Sequence, residues 1–157
     1  MAQSLAFILR DPLPPIRADV LTLFGTEMPR YGIEAALIGQ GGGHAAAPGW
    51  RGGAQHAVGR SASRLASVMS PFWDAAGLVK AWRRGRPDAL QVRDKIASGL
   101  LGRLVSAVTG VPFIYWMSFP IVEGFEVRRD DIGRHGRGLR WALHALRAAA
   151  SRFVLYR

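Results

Sequence analysis

Short apolar runs alternate with longer segments of helical periodicity along most of this chain. Ser4–Leu9 is apolar and is followed by Arg10, Asp11 and prolines at 12, 14 and 15, which marks a buried strand and then an irregular loop. From Asp19 onward Val20, Leu21, Leu23, Phe24 and Met28 recur at helical spacing, and Gly32 suits the stop of that helix. Glu34–Ile38 reads as a second strand and Gln55–Gly59 as a short third. Between them residues 39–54, rich in glycine and carrying Pro48, are expected to form a loop. Ser70–Arg84 predicts a helix with Phe72, Trp73, Ala76, Val79 and Trp82 sharing one side, stopped by Gly85 and Pro87. Ala89–Val92 predicts a buried strand. Lys95–Thr109 predicts a helix whose apolar face is Ile96, Leu100, Leu101, Leu104, Val105 and Val108, and Gly110 ends it. Pro112–Met117 is a further strand, β-branched and aromatic. Ser118–Gly138 reads as a polar loop and Leu139–Ser151 as a basic amphipathic helix, after which Phe153–Arg157 keeps the apolar pattern.

Strands of this length alternating with helices predict an α/β fold, a Rossmann-like open parallel sheet with helices on both faces. With 157 residues the chain is one domain's worth, and no internal repeat divides it. Because the helical pattern runs to the terminus without a following strand, the domain is expected to be incomplete at its C-terminus.

Composition narrows this a little. Hydrophobic residues make up 49% and charged residues 20%, a globular balance. The chain has no cysteine, which excludes disulfides and thiolate metal sites and fits a reducing compartment. No apolar run reaches the roughly 18 residues of a membrane-spanning helix, and the opening apolar run is shorter than that of a signal peptide. The net charge of +10 is the unusual feature, and every basic residue except Lys80 and Lys95 is arginine. Such a charge attracts polyanions in general: nucleic acid, anionic lipid headgroups or phosphorylated substrates.

Candidate chemistry follows from position, because ligands of open parallel sheets bind beyond the carboxyl ends of the strands. That rule selects Arg10 and Asp11 after the first strand, Arg93, Asp94 and Lys95 after the fourth, and Ser118 to Glu123 after the fifth. Asp94 has two readings, both open: the N-cap of the following helix, or a direct contact that accepts a hydroxyl proton while Arg93 and Lys95 hold an anionic or hydroxylated ligand. Ser118 either ends the strand before an X-Pro turn or hydrogen-bonds a sugar hydroxyl, with Glu123 accepting another. Two basic stretches, one with Lys80, Trp82, Arg83, Arg84 and Arg86 and the other the arginine series from Arg128 to Arg157 with Trp141 and Phe153, suit a membrane surface, or else a solvated face with Trp82 in the core.

Other motifs fail on context. The glycines at 39–43 follow the second strand and open onto no helix, so they make no dinucleotide fingerprint, and there is no P-loop. His44, His56, His135 and His144 show no metal-ligand spacing, no serine-hydrolase elbow is present, and nucleic-acid-binding signatures are missing.

The segment from Pro87 to Pro120, PDALQVRDKIASGLLGRLVSAVTGVPFIYWMSFP, resembles the N-terminal domain of retaining GT-B glycosyltransferases of the family four, or group one, type. It has their PD entry to an apolar strand, a polar turn, a small-residue helix and then GVPFIY. Residues 4–39 resemble the first βαβ unit of the same family, with Tyr31–Gly32–Ile33–Glu34 at its turn. The sequence departs from the family in its first loop, RDPLPPIR, which lacks the usual glycines, and in Trp116–Met117–Ser118, where members often place a histidine.

The resemblance implies the acceptor-binding half of an enzyme that transfers a sugar from a nucleotide diphosphate sugar with retained configuration. Such enzymes serve exopolysaccharide or lipid-linked glycan synthesis. The acceptor would be a glycan or a lipid-linked sugar, contacted by Arg10, Asp11, Arg93, Lys95, Ser118 and Glu123, with Asp94 the candidate catalytic contact. The nucleotide sugar would be a co-substrate held mainly by a donor domain missing from this chain, with no further cofactor and no metal, and the chain would be inactive by itself. The expected place is cytoplasmic, or peripheral on the inner face of the cell membrane. A basic α/β module that binds nucleic acid or another anionic ligand without catalysis is the alternative.

Overall fold

The computed structural model describes residues 3–42, 50–60, 64–118, 120–134, 136 and 138–155. Most of the glycine-rich stretch, including His44, lies outside them, as do Phe119, His135, Tyr156 and Arg157. Strands β1 (Gln3–Ile8), β2 (Ile33–Gly41), β3 (Gln55–Arg60), β4 (Ala89–Arg93) and β5 (Phe113–Trp116) form one parallel sheet in the order β3-β2-β1-β4-β5. The fold is α/β and Rossmann-like. The chain winds outward from β1 to β3 and then returns to the far side of β1, so the order reverses between β1 and β4.

The period of two in β1 feeds both faces. Leu5, Phe7 and Leu9 pack with Val20, Phe24 and Leu37 on one side, while Ala6 and Ile8 pack with Ile38, Leu78, Leu90 and Val92 on the other. Asp88 joins β4 to β1 by accepting hydrogen bonds from the amide and hydroxyl of Ser4, at 2.7 and 3.0 Å, and these bonds hold its carboxyl below the ordinary carboxylate range.

The first face is covered by α1 (Ala18–Thr22), a π-helical stretch (Leu23–Glu27) and α2 (Met28–Arg30), ending at Gly32 with φ 74°. The widening has a local cause. Pro29 has no N–H to offer the Gly25 carbonyl, and that carbonyl accepts from the Arg51 amide at 3.0 Å instead. The Trp50 ring closes the same spot, 2.6 Å from where a Cβ on residue 25 would lie.

The other face is covered by α3 (Arg64–Trp82) and α4 (Ile96–Thr109), both turned differently from expectation. The buried side of α3 is Asp74, Gly77, Leu78 and Ala81, while Phe72 and Val79 are exposed. On α4 the buried residues are Ser98, Gly99 and Gly102, and Leu100, Leu104 and Val108 face outward. Small residues let each helix sit close on Ile38, Val92, Phe113 and Tyr115, which already fill the space above the sheet. The largest apolar residues are therefore a poor guide to which side of these helices is inside.

Two further corrections concern connections. β2 runs through Gly39–Gly41 rather than stopping at Ile38, so the loop begins later. Residues expected to form a polar loop hold α5 (Ile121–Gly133), with Pro120 at its start and Glu123 in its first turn. Its apolar positions are sparse, and its stability comes from packing against α6 (Leu139–Leu155). α6 in turn crosses α4, burying Ala148, Ser151 and Val154. No helix among the described residues is long and apolar enough to cross a membrane.

A Cβ added to Gly77 would collide with Ile38, a fully buried side chain of β2. Gly77→Ala is expected to lower the unfolding free energy by about 1–3 kcal/mol through overpacking. Denaturant titration checks it; a variant as stable as the parent would show that α3 does not sit this close to the sheet.

Candidate functional site

β4 carries three successive charged residues to the point where the strand order reverses. Unbroken alternation would keep Arg93 and Lys95 on one face, but the left-handed backbone at Asp94, φ 53°, breaks the period and sends them to opposite sides. Arg93 is almost fully buried on the α1 side. Its Nη2 donates to Asp19 Oδ2 at 2.7 Å, its Nε donates to Ser118 Oγ at 3.0 Å, and its guanidinium lies 4.4 Å from the centroid of the Trp116 ring. Trp116 is itself packed on Phe7 and Phe24. Burial alone pushes the Asp19 carboxyl up. The hydrogen bond and charge of Arg93, with help from Arg17 and the Val20 amide, outweigh that and hold it below the usual carboxylate range.

Lys95 turns to the α3 side. Its Nζ donates to both Asp74 oxygens, at 2.9 and 2.8 Å, and to Gln40 Oε1 at 3.0 Å. Asp74 has no exposed surface and also accepts from Ser98 Oγ at 2.6 Å and Gln40 Nε2 at 2.9 Å. Burial pushes the Lys95 ammonium down, against the opposing pull of Asp74.

Asp94 stands between them with φ 53°, a left-handed conformation that breaks the strand. It does not cap α4, which begins at Ile96 with Lys95 as the flanking residue and no side-chain cap. Its Oδ1 accepts the Ser118 amide at 2.8 Å and its Oδ2 lies 3.6 Å from Arg93 Nε. The carboxylate is thereby fixed across the ends of β4 and β5.

The structure thus divides the residues selected from sequence. Arg93 and Lys95 are enclosed and paired, so they shape the strand ends rather than face a ligand. Ser118 contacts both Arg93 and Asp94. Asp11 lies beside Arg17, 3.8 Å away, with its Oδ2 buried and without a hydrogen bond. Glu123 is exposed and does not line the cleft described next.

Arg10 and Asp94 open onto a cleft of about 800 Å³ between the strand ends, α4, α5 and α6. Arg128 and Arg147 line it with them, and Ile96, Leu100, Phe125 and Leu146 form its apolar wall. No ion pair among the described residues involves Arg10, Arg128 or Arg147. Sequence reasoning put Arg128 and Arg147 in a basic series suited to a membrane surface, but not at the strand-end cleft, because α5 was not anticipated. Without that helix the arginines after residue 127 form only a basic run. Nearby, the Tyr115 hydroxyl is buried and without a hydrogen-bond partner, and burial, then the charge of Asp94, raise its pKa against the influence of Arg10.

The basic stretch at 80–86 occupies the opposite edge of the sheet. Trp82 is half-buried and packs against the core beside Leu78 and Ala81. Arg86 donates to the Thr109 carbonyl at 2.6 Å, while Lys80, Arg83 and Arg84 are exposed. Arg84 borders a small cavity of about 210 Å³ with His56, whose Nε2 is buried and without a partner. Among the described residues no group of His, Asp or Glu is placed to hold a metal ion. The chain matches no protein-family model, no curated protein and no solved structure.

Two outcomes follow. Asp74→Ala leaves Lys95 buried and unpaired, and is expected to cost about 3–5 kcal/mol in denaturant unfolding, while Asp74→Leu with Lys95→Met restores most of the loss; an Asp74→Ala variant as stable as the parent would refute the buried pair. His56 is held below its ordinary 6.5 by burial and then by the charges of Arg84 and Lys80. The unfolded chain therefore takes up this proton first, and stability falls as the pH drops below 6.5 until the folded ring also protonates. In an NMR titration the His56 ring should change with a midpoint below 6.5, and a midpoint above that value would contradict the assignment.

Proposed function

We propose that this chain is the acceptor-binding part of a nucleotide-sugar-dependent glycosyltransferase of exopolysaccharide or lipid-linked glycan synthesis, working with a separate donor-binding domain. The observation that carries this reading is the cleft at the reversal of strand order, lined by Arg10, Arg128 and Arg147 together with Asp94, whose side chain is 5% exposed. The segment that resembles the family, 87–120, contributes β4, α4 and β5, and so supplies Asp94 and one wall of the cleft. Guanidinium groups bind phosphate or carboxylate in a planar, two-toothed manner, and a fixed carboxylate orients a hydroxyl. Arg93 and the Ser118 amide hold the Asp94 carboxylate in place beside them. Binding and orientation of this kind carry much of the rate in group transfer. On this reading the nucleotide sugar is the only co-substrate, and the work is done in the cytoplasm or at the inner face of the cell membrane.

A second reading, an α/β module that binds an anionic ligand without chemistry, is favoured by the excess of arginine over acid in the same cleft. Saturation-transfer NMR separates the two. Phosphorylated saccharides should receive saturation from the protein, and Arg10→Ala and Asp94→Asn should each weaken them roughly tenfold. Oligonucleotides bound with a steep salt dependence, and no saccharide bound at all, would instead establish the second reading.

A further inference from the structure

We propose that the cleft holds a phosphate-bearing lipid of a membrane surface, with the phosphate at Arg10, Arg128 and Arg147 and the hydrocarbon on the outer face of α4. This deepens the reading above, on whose choice of cleft it rests, by naming the chemical class of the ligand. Three observations combine. The arginines converge on one cleft without acidic partners of their own, so an anion entering it meets uncompensated positive charge. The same cleft has an apolar wall, which a free phosphate or a nucleotide phosphate does not need.

The third is what lies beyond the wall. Leu100 is the last of the α4 residues in the cleft, and Leu104 and Val108 repeat it one and two turns farther along, 62% and 78% exposed. On α6 Leu146, 67% exposed, stands across the cleft from Leu100. An open apolar stripe that starts at a cluster of cations has the polarity of an anionic lipid: charged head at one end, hydrocarbon at the other. The exposed face of α4 is explained by such an occupant. It arises because Ser98, Gly99 and Gly102, not the leucines, face the sheet.

Co-sedimentation with phosphatidylglycerol vesicles and with phosphatidylcholine vesicles tests this, with inorganic phosphate and a soluble hexose phosphate as further arms. The expected result is capture by phosphatidylglycerol alone, reduced roughly tenfold by Arg128→Glu with Arg147→Glu. Leu104→Asn with Val108→Asn should also reduce capture while leaving the affinity for hexose phosphate unchanged. Arg83→Glu with Arg84→Glu, on the opposite edge, should change little. Equal capture by phosphatidylcholine would overturn the proposal, and so would an Arg83/Arg84 effect as large as that at Arg128 and Arg147, which would mean attraction by net charge alone. If hexose phosphate binds and no vesicle does, the lipid is wrong and the acceptor cleft stands; if neither binds, both fall. All these substitutions are at exposed positions, and an unchanged circular dichroism spectrum confirms folding.

Discussion

Lys95 reaches a carboxylate that has no contact with solvent, and four chain segments meet in that one arrangement. Asp74 belongs to α3, Lys95 joins β4 to α4, Gln40 comes from the end of β2 and Ser98 from the first turn of α4. An ion taken out of water is tolerated only when its partner and remaining hydrogen bonds are supplied. Asp74 therefore pins α3 and α4 to each other and to the carboxyl edge of the sheet. Arg93 repeats the device on the other side, drawing the start of α1 to the sheet through Asp19 and covering Trp116. With residues 93 and 95 pulled in opposite directions, Asp94 is left in a left-handed turn at the crest, where β4 hands over to α4.

This division of charge decides what the edge can bind. A cation already compensated by a buried carboxylate offers an incoming anion little, since the anion would have to displace that partner. Among the described residues at this edge, Arg10, Arg128 and Arg147 of the cleft have no ionic partner, and they come from distant parts of the sequence: the end of β1, the middle of α5 and the middle of α6. The helical pair α5–α6, added beside the sheet, is thus what turns a strand-end crevice into a bounded site.

The sheet was legible because each strand is a short apolar run with turn residues on both sides, and a period of two admits few alternatives. Strand ends were equally legible, which is why Arg10, Asp94 and Ser118 were selected correctly as residues of the carboxyl edge. Helix orientation was not legible. Phe72, Val79, Leu104 and Val108 are apolar and regularly spaced, yet the sheet accepts Gly77, Gly99 and Gly102 because only small residues allow the approach. α5 was hidden for a related reason: its sequence, IVEGFEVRRDDIG, has the charge of a loop, and its partner helix lies farther along the chain. No local pattern distinguishes Arg93, which is buried, from Arg10, which is free; the difference lies in whether Asp19 or solvent is within reach.

On this division of charge, the cations that bind an anion are the unpaired ones of the cleft and not those of the strand end. Arginine Nε–Hε resonances followed by NMR as decyl phosphate is added test it most directly. The signals of Arg10, Arg128 and Arg147 should shift together and saturate with one affinity, while that of Arg93, already bonded to Ser118, should stay in place. A shift of Arg93 with the other three unmoved would contradict it.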